Sequence, residues 1–260
     1  MRGVLLDLDG VVYLGGSPVP GAADVLDWLS HEGIPFRFLT NTSSRPRPAI
    51  VAKLSSMGIP ASNDDILTPA VAAMSWLRHH SPGQPALFVP AATASEFAEL
   101  DPLPDGAEAG AGAVVVGDLG ERWDFATFNR AFRLLMAEPR PTLVALGLTR
   151  YWRADDGLRL DAGAFVRALE YAAGTTAVVV GKPDHAFYQT AVDGLGLDAD
   201  QVVMVGDDIR ADVEGAQRAG LTGVLVRTGK FTPADLNGDV SPDAVLASVA
   251  ELPAWWRSAD

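Results

Sequence analysis

Short apolar runs alternate along this chain with stretches of helical periodicity. The runs at 4–6, 35–39, 66–67, 177–180, 202–205 and 224–226 read as buried strands. Between them, 21–31, 48–57, a segment starting at 71, 186–195 and 212–219 read as helices. Val25, Leu26, Trp28 and Leu29 recur on one side of the first helix, and Gly58 supplies a stop for the second. Alternating strands and helices predict an α/β protein built on a parallel sheet.

The middle of the chain repeats the pattern with its own apolar set. Strands are expected at 86–89, 113–116 and 143–146, helices at 94–100 and 125–137, and a polar hairpin at 151–160 around Asp156-Gly157. A helix at 164–173 is expected to return the chain to the first array. This organisation predicts a core domain of residues 1–78 and 179–260, interrupted by an inserted α/β domain of residues 79–178. Trp255 and Trp256 lie in a tail, 253–256, that reads as a docked apolar end. The letters VVVG at 114–117 and 178–181 read as two buried strands rather than a repeat.

The chain has 260 residues and is 48% hydrophobic, enough for a sizeable core. Its formal charge is -13, from 20 basic and 33 acidic residues with no basic block, which argues against nucleic acid as a partner. An anionic substrate would need a metal and local donors to draw it in. There are no cysteines, which excludes a disulfide framework, a thiolate nucleophile and a Cys-ligated zinc. With only Arg2 ahead of the first apolar run and no stretch long enough to span a bilayer, a cytoplasmic protein without a membrane partner is the expectation.

Four polar clusters each follow an expected core strand: Asp7 and Asp9 with Gly10; Thr40-Asn41; Lys182-Pro183; and Gly206-Asp207-Asp208 with Asp212 beyond. Strand tips of parallel sheets are where α/β proteins bind ligands. Any one cluster alone could be a polar cap or a turn; four together point to chemistry. Two carboxylates one residue apart repel unless a cation joins them, which suggests Mg²⁺. The chemistry that uses such a set is phosphate-ester cleavage. Asp7 is placed to attack phosphorus, with Mg²⁺ between Asp7, Asp207 and a backbone carbonyl near Asp9 to offset the repulsion. Lys182 adds positive charge, while Thr40 and the N–H groups of Asn41 and Gly10 would hold the phosphoryl oxygens. Asp9 would protonate the leaving oxygen and then activate water. Asp208 and Asp212 would stand behind, holding a metal water or pairing with Lys182.

These residues carry a family resemblance. The motifs Asp7-Leu8-Asp9-Gly10-Val11-Val12-Tyr13, Leu39-Thr40-Asn41-Thr42-Ser43, Val180-Gly181-Lys182-Pro183 and Gly206-Asp207-Asp208-Ile209-Arg210-Ala211-Asp212 resemble motifs one to four of the haloacid dehalogenase (HAD) superfamily. The Thr-Asn-Thr-Ser form and the long insertion resemble its NagD-like group with a C2-type cap. Arg150-Tyr151-Trp152, Ala168-Leu169-Glu170-Tyr171-Ala172 and Thr228-Gly229-Lys230 are similar to the branch containing phospholysine phosphohistidine inorganic pyrophosphate phosphatase. The resemblance covers essentially the whole chain. It implies a Rossmann-like core with an inserted cap, and a magnesium-dependent phosphatase of small phosphorylated metabolites, pyrophosphate among them. Asp7 would be the nucleophile, Asp9 the acid/base, Thr40 and Lys182 phosphate binders and Asp207 a metal ligand. Caps of this type often contribute to dimer contacts, so a homodimer through the cap is a state the resemblance allows. Three alternatives stand beside hydrolysis: phosphotransfer to another acceptor as in a mutase, a phospho-accepting signalling module, and a binding protein without catalysis.

Other features read as structural. Gly117-Asp118 follows a strand but lacks a second adjacent acid. His31, His79, His80 and His185 have no metal-ligand spacing. Gly229-Lys230 has no Walker spacing before it and reads as a turn. Arg150 and Trp152 divide evenly between a substrate contact and cap packing.

Overall fold

The computed structural model describes residues 1–81, 83–154 and 156–259, and the side chains of residues 152–154 lie outside that description. The chain folds as two compact units: Met1–Thr40, Arg47–Leu67 and Lys182–Asp260 form one, Asn41–Pro46 and Thr68–Gly181 the other. The limits expected from the sequence, 79 and 178, lie inside the second unit, which also takes the helix Pro69–His80.

The first unit is a six-stranded parallel sheet in the order Ala244–Leu246, Thr222–Val226, Val202–Gly206, Gly3–Asp7, Phe36–Leu39, Ile66–Leu67. The two central strands, GVLLD and VVMVG, are buried along their whole length, as strands covered on both faces must be. Leu6 sits opposite Val205 on one side and Phe38 on the other, all without exposed surface. Burying a side chain of this size stabilises the fold by about 1.5–3 kcal/mol. The helix Ala22–His31 buries Ala22, Val25, Leu26 and Leu29 against this core, on the face that its periodicity predicts. The C-terminal helix Leu252–Ala259 docks Trp256 edge-on against Trp28, so the apolar tail is packed as expected.

A four-stranded parallel sheet forms the second unit, in the order Val178–Val179, Thr142–Ala145, Ala113–Val116, Pro85–Phe88. The helices Phe125–Leu135 and Ala162–Ala173 bury Leu134, Leu135, Val166 and Leu169 in its core. The hairpin Tyr151–Ala154 and Gly157–Leu160 forms where Asp156-Gly157 predicts it.

Two expectations need correction. The run at 177–180 is not a core strand: Val178 and Val179 pair with Val144 and Ala145, at the edge of the second sheet. Lys182 therefore does not sit on a core strand tip; it follows a strand of the other unit. Likewise, the helix Ala162–Ala173 stays within the second unit instead of returning the chain to the first. An apolar run reports burial but not which sheet it joins. The strand Ala244–Leu246 and the segment Ile209–Glu214, a π-helical turn that overlaps the start of the helix expected at 212–219, have no period-based signature. Among the described residues, no helix is long and apolar enough to cross a membrane.

Candidate active site

Three adjacent parallel strands end side by side and deliver the chemistry. Asp7 is the last residue of Gly3–Asp7 and pairs with Leu39, so Thr40 begins just beyond the neighbouring strand end. Asp207 follows Val202–Gly206 on the other side. Asp7, Lys182, Asp207 and Asp212 are all buried, which is rare for ionisable side chains unless they are paired or bind a ligand, and Thr40 is buried as well.

Lys182 is the hub of this cluster. Its ammonium donates to Asp7 Oδ1 at 2.6 Å and to Asp212 Oδ1 at 2.7 Å. The other oxygen of Asp212, Oδ2, accepts the backbone N–H groups of Asp207 (3.1 Å) and Asp208 (3.0 Å). Both oxygens of Asp212 are thus engaged, and the residue acts as an anchor between Lys182 and the Asp207 loop. Gly206 makes room for it, because a Cβ there would overlap the Asp212 side chain. Asp208 caps the π-helical turn by accepting from Arg210 N–H (3.0 Å) and Ala211 N–H (2.9 Å). Its second oxygen takes the Lys230 ammonium at 3.3 Å, so pairing with Lys182 falls to Asp212 rather than to Asp208.

Asp207 is held differently. Oδ2 accepts the Lys230 backbone N–H at 2.7 Å, whereas Oδ1 is buried and has no hydrogen-bond partner among the described residues. An orphaned buried carboxylate oxygen costs free energy unless something positive reaches it. One oxygen from each of Asp7, Asp207 and Asp212 lies within 4.8 Å of the others. With Asp212 spent on Lys182 and two N–H groups, Asp7 and Asp207 are the oxygen donors that fit a hard divalent cation. Asp9 is not part of this group: its side chain is exposed at the start of the next loop. Gly10, buried with φ 92, lies against Asp207.

The electrostatics match that count of charges. Burial pushes Asp7 up to about 7; Lys182 opposes the shift while Asp212 and Asp207 add to it. Burial also raises Asp207 to about 6, against the Lys230 N–H. Burial alone would lower Lys182, but the charges of Asp212 and Asp7 hold it above the usual lysine range. One lysine faces three buried carboxylates, and the excess negative charge makes the site hungry for a proton or a cation.

Asn41, Arg150 and Tyr151 belong to the second unit, where the Arg150 guanidinium lies 5.6 Å from the Tyr151 ring centre. The Trp152 side chain falls outside the described residues. Asp118 is also in the second unit, and its N–H donates to Ser43 Oγ at 3.0 Å.

Two contributors lie outside the residues expected at the site. Tyr188 is buried, and its hydroxyl donates to the carbonyls of Ala211 (2.6 Å) and Asp212 (3.2 Å), bracing the turn that carries Asp212. The turn Thr228-Gly229-Lys230 reaches both Gly10 and Asp207. Its position directly after the strand Thr222–Val226, next to the strand that carries Asp207, is the signal that could have found it.

Comparison with known proteins agrees with the geometry. Residues 4–101 match the family model "Haloacid dehalogenase-like hydrolase", and 179–252 match a HAD-hydrolase-like model. The chain is 38% identical over 256 residues to human phospholysine phosphohistidine inorganic pyrophosphate phosphatase, covering 96% of this chain and 92% of that protein. Among solved structures, a 4-nitrophenylphosphatase from Thermotoga maritima superposes with a TM-score of 0.87 at 26% identity, over 97% of this chain and 96% of that one. NagD from E. coli K-12 shares the fold, with a TM-score of 0.85 at 23% identity over 96% and 98% of the two chains. With an acid-rich strand-end site on a parallel α/β sheet and relatives of this kind, the chain belongs to the haloacid dehalogenase superfamily, as a phosphatase enzyme with the NagD-like fold.

Proposed function

We propose that this chain is a Mg²⁺-dependent phosphatase that hydrolyses small phosphorylated metabolites through an aspartyl-phosphate on Asp7. The observation that carries the reading is the imbalance at the strand ends: Lys182 serves two of three buried carboxylates, and Asp207 Oδ1 is left without a partner. Asp7 and Asp207 would hold the magnesium ion, with the backbone near Asp9 as a further oxygen donor. Bound there, the ion supplies charge neutralisation and Lewis acidity toward phosphoryl oxygens.

The chain's own groups account for the rest. Asp7 Oδ attacks phosphorus and the P–O bond to the leaving group breaks. Lys182, held above its usual range, keeps a positive charge beside the nucleophile and the phosphoryl oxygens. The Thr40 hydroxyl, buried at the neighbouring strand end, orients those oxygens, whereas the Gly10 N–H expected to share that task is already given to the Tyr13 carbonyl at 2.7 Å. Asp9 gives its proton to the leaving oxygen and then takes one from the water that releases phosphate. Its exposure supports the role, since it must meet both leaving group and solvent. Asp212 positions Lys182 rather than binding the ion directly.

On this reading the first unit is the catalytic core and the second is a C2-type cap that governs which substrate enters. A chain without cysteine suits a reducing cytoplasm. The human relative's name adds phospholysine, phosphohistidine and inorganic pyrophosphate to the phosphate monoesters as candidate substrates. The test is phosphate release from a panel of these compounds, with Mg²⁺ and with EDTA. Magnesium-dependent release is expected; release that is indifferent to EDTA would reject the metal assignment.

A further inference from the structure

We propose that the turn Thr228-Gly229-Lys230 is a positioning element of the active site, one that commits a single oxygen of Asp207 and leaves the other as a one-point ligand for a small divalent cation. The inference rests on the metal reading above and extends it to residues outside the four strand-end clusters.

Three attachments converge on one place. The Lys230 N–H donates to Asp207 Oδ2 at 2.7 Å. The Thr228 hydroxyl donates to the Gly10 carbonyl, tying this turn to the loop that carries Asp9. Gly229, at φ 67, and Gly10, at φ 92, face each other so closely that a Cβ on Gly229 would stand 2.7 Å from Gly10 Cα. A Cβ on either glycine would overlap the same atom, Asp207 Oδ2. That oxygen therefore occupies space that only a pair of glycines leaves open, and its hydrogen bond is already made. Oδ1, buried and unpartnered among the described residues, is the oxygen that remains to be satisfied.

A carboxylate locked this way offers one oxygen. Small octahedral cations such as Mg²⁺ take single carboxylate oxygens at about 2.0–2.1 Å, whereas the larger Ca²⁺ gains from bidentate carboxylates at about 2.3–2.6 Å. The committed Oδ2 denies bidentate binding at Asp207, so the turn favours the smaller ion. The hold is exerted through the Lys230 backbone. Its ammonium pairs with Asp208 at 3.3 Å and places positive charge near the site, which opposes a cation. A turn that merely closed the end of the strand Thr222–Val226 would affect stability and leave the discrimination between ions untouched.

The experiment is calorimetric titration of the metal-stripped full chain with Mg²⁺ and with Ca²⁺ at pH 8, without substrate, circular dichroism checking the fold. Gly229→Ala is expected to weaken Mg²⁺ binding by about tenfold or more, the usual scale for disturbing the support of a metal ligand, and to narrow the preference for Mg²⁺ over Ca²⁺. Thr228→Val removes one hydroxyl at nearly constant volume, should fold, and is expected to shift both quantities in the same direction by a smaller factor. Lys230→Met is expected to bind Mg²⁺ as tightly as the parent or more tightly. Folded Gly229→Ala and Thr228→Val proteins with the parent's Mg²⁺ affinity and ion preference would overturn the inference, as would a tenfold loss in Lys230→Met. A parent chain that binds no Mg²⁺ would overturn the metal reading and this inference together; a binding parent with unaltered variants overturns the inference alone.

Discussion

Replacing Lys182 with Met keeps the apolar stem and removes the ammonium, leaving Asp7 and Asp212 buried without the donor they share. Breaking a buried ion pair by deleting one partner costs about 3–5 kcal/mol. Because this ammonium serves two carboxylates, the upper part of that range is expected. At about 2–4 °C per kcal/mol for a chain of this size, the melting temperature should fall by ~10 °C or more. The loss should depend on pH with a definite sign. Asp7 is already pushed up to about 7 by burial, with Lys182 pulling the other way, so without the lysine it rises further. A carboxyl raised in the folded state binds more protons there than in the unfolded chain, so stability falls as pH rises from about 4 through the folded value. Urea unfolding in EDTA at pH 5 and pH 8 would measure both. The gap between parent and variant should be smaller at pH 5, where Asp7 carries a proton, and full at pH 8. A loss below ~1 kcal/mol, or one of equal size at both pH values, would refute the picture of an overcharged buried cluster held by one lysine.

Other outcomes follow from the same geometry. Mg²⁺ affinity should fall as pH drops from 8 to 5, because protons on Asp7 (about 7) and Asp207 (about 6) compete with the ion; titrations near pH 6 in buffers of different ionisation enthalpy should show proton release, and constant affinity would count against it. Asp9→Asn should retain Mg²⁺ binding while losing most turnover, a split that parallel calorimetry and phosphate assays would expose; an unchanged rate removes the acid/base role. Tyr188→Phe should lower stability by about 1–3 kcal/mol in urea unfolding, since the Ala211 and Asp212 carbonyls lose a buried donor; a neutral substitution would mean the π-helical turn stands without it.

How much of this was legible in the sequence varied with the physics of each feature. Strands such as Gly3–Asp7 and Val202–Gly206 announce themselves because they are buried on both faces and end in acid. The helix Ala22–His31 is equally plain from its periodicity. Sheet membership is not: Val178-Val179 is apolar whichever sheet it joins, and pairing with Thr142–Ala145 moved it to the other unit. Asp7, Lys182 and Asp207 were readable as a charged set with distinct expected roles, but which of Asp208 and Asp212 pairs with Lys182 was not. That Asp212 would spend both oxygens on Lys182 and backbone N–H groups depends on the π-helical turn, which no residue pattern encodes. The Thr228-Gly229-Lys230 turn reads correctly as a turn, yet its reach to Asp207 comes from strand order, through the pairing of Val202–Gly206 with Thr222–Val226.

The central claim is that Asp7 carries the phosphoryl group during turnover. The most direct measurement is rapid acid quenching of the enzyme with a turned-over substrate and Mg²⁺, followed by peptide mass mapping. The account predicts a phosphoryl adduct on the peptide containing Asp7, absent in EDTA and absent in an Asp7→Asn variant that has also lost turnover. An Asp7→Asn enzyme that still releases phosphate, or turnover with no adduct at any quench time, would contradict it.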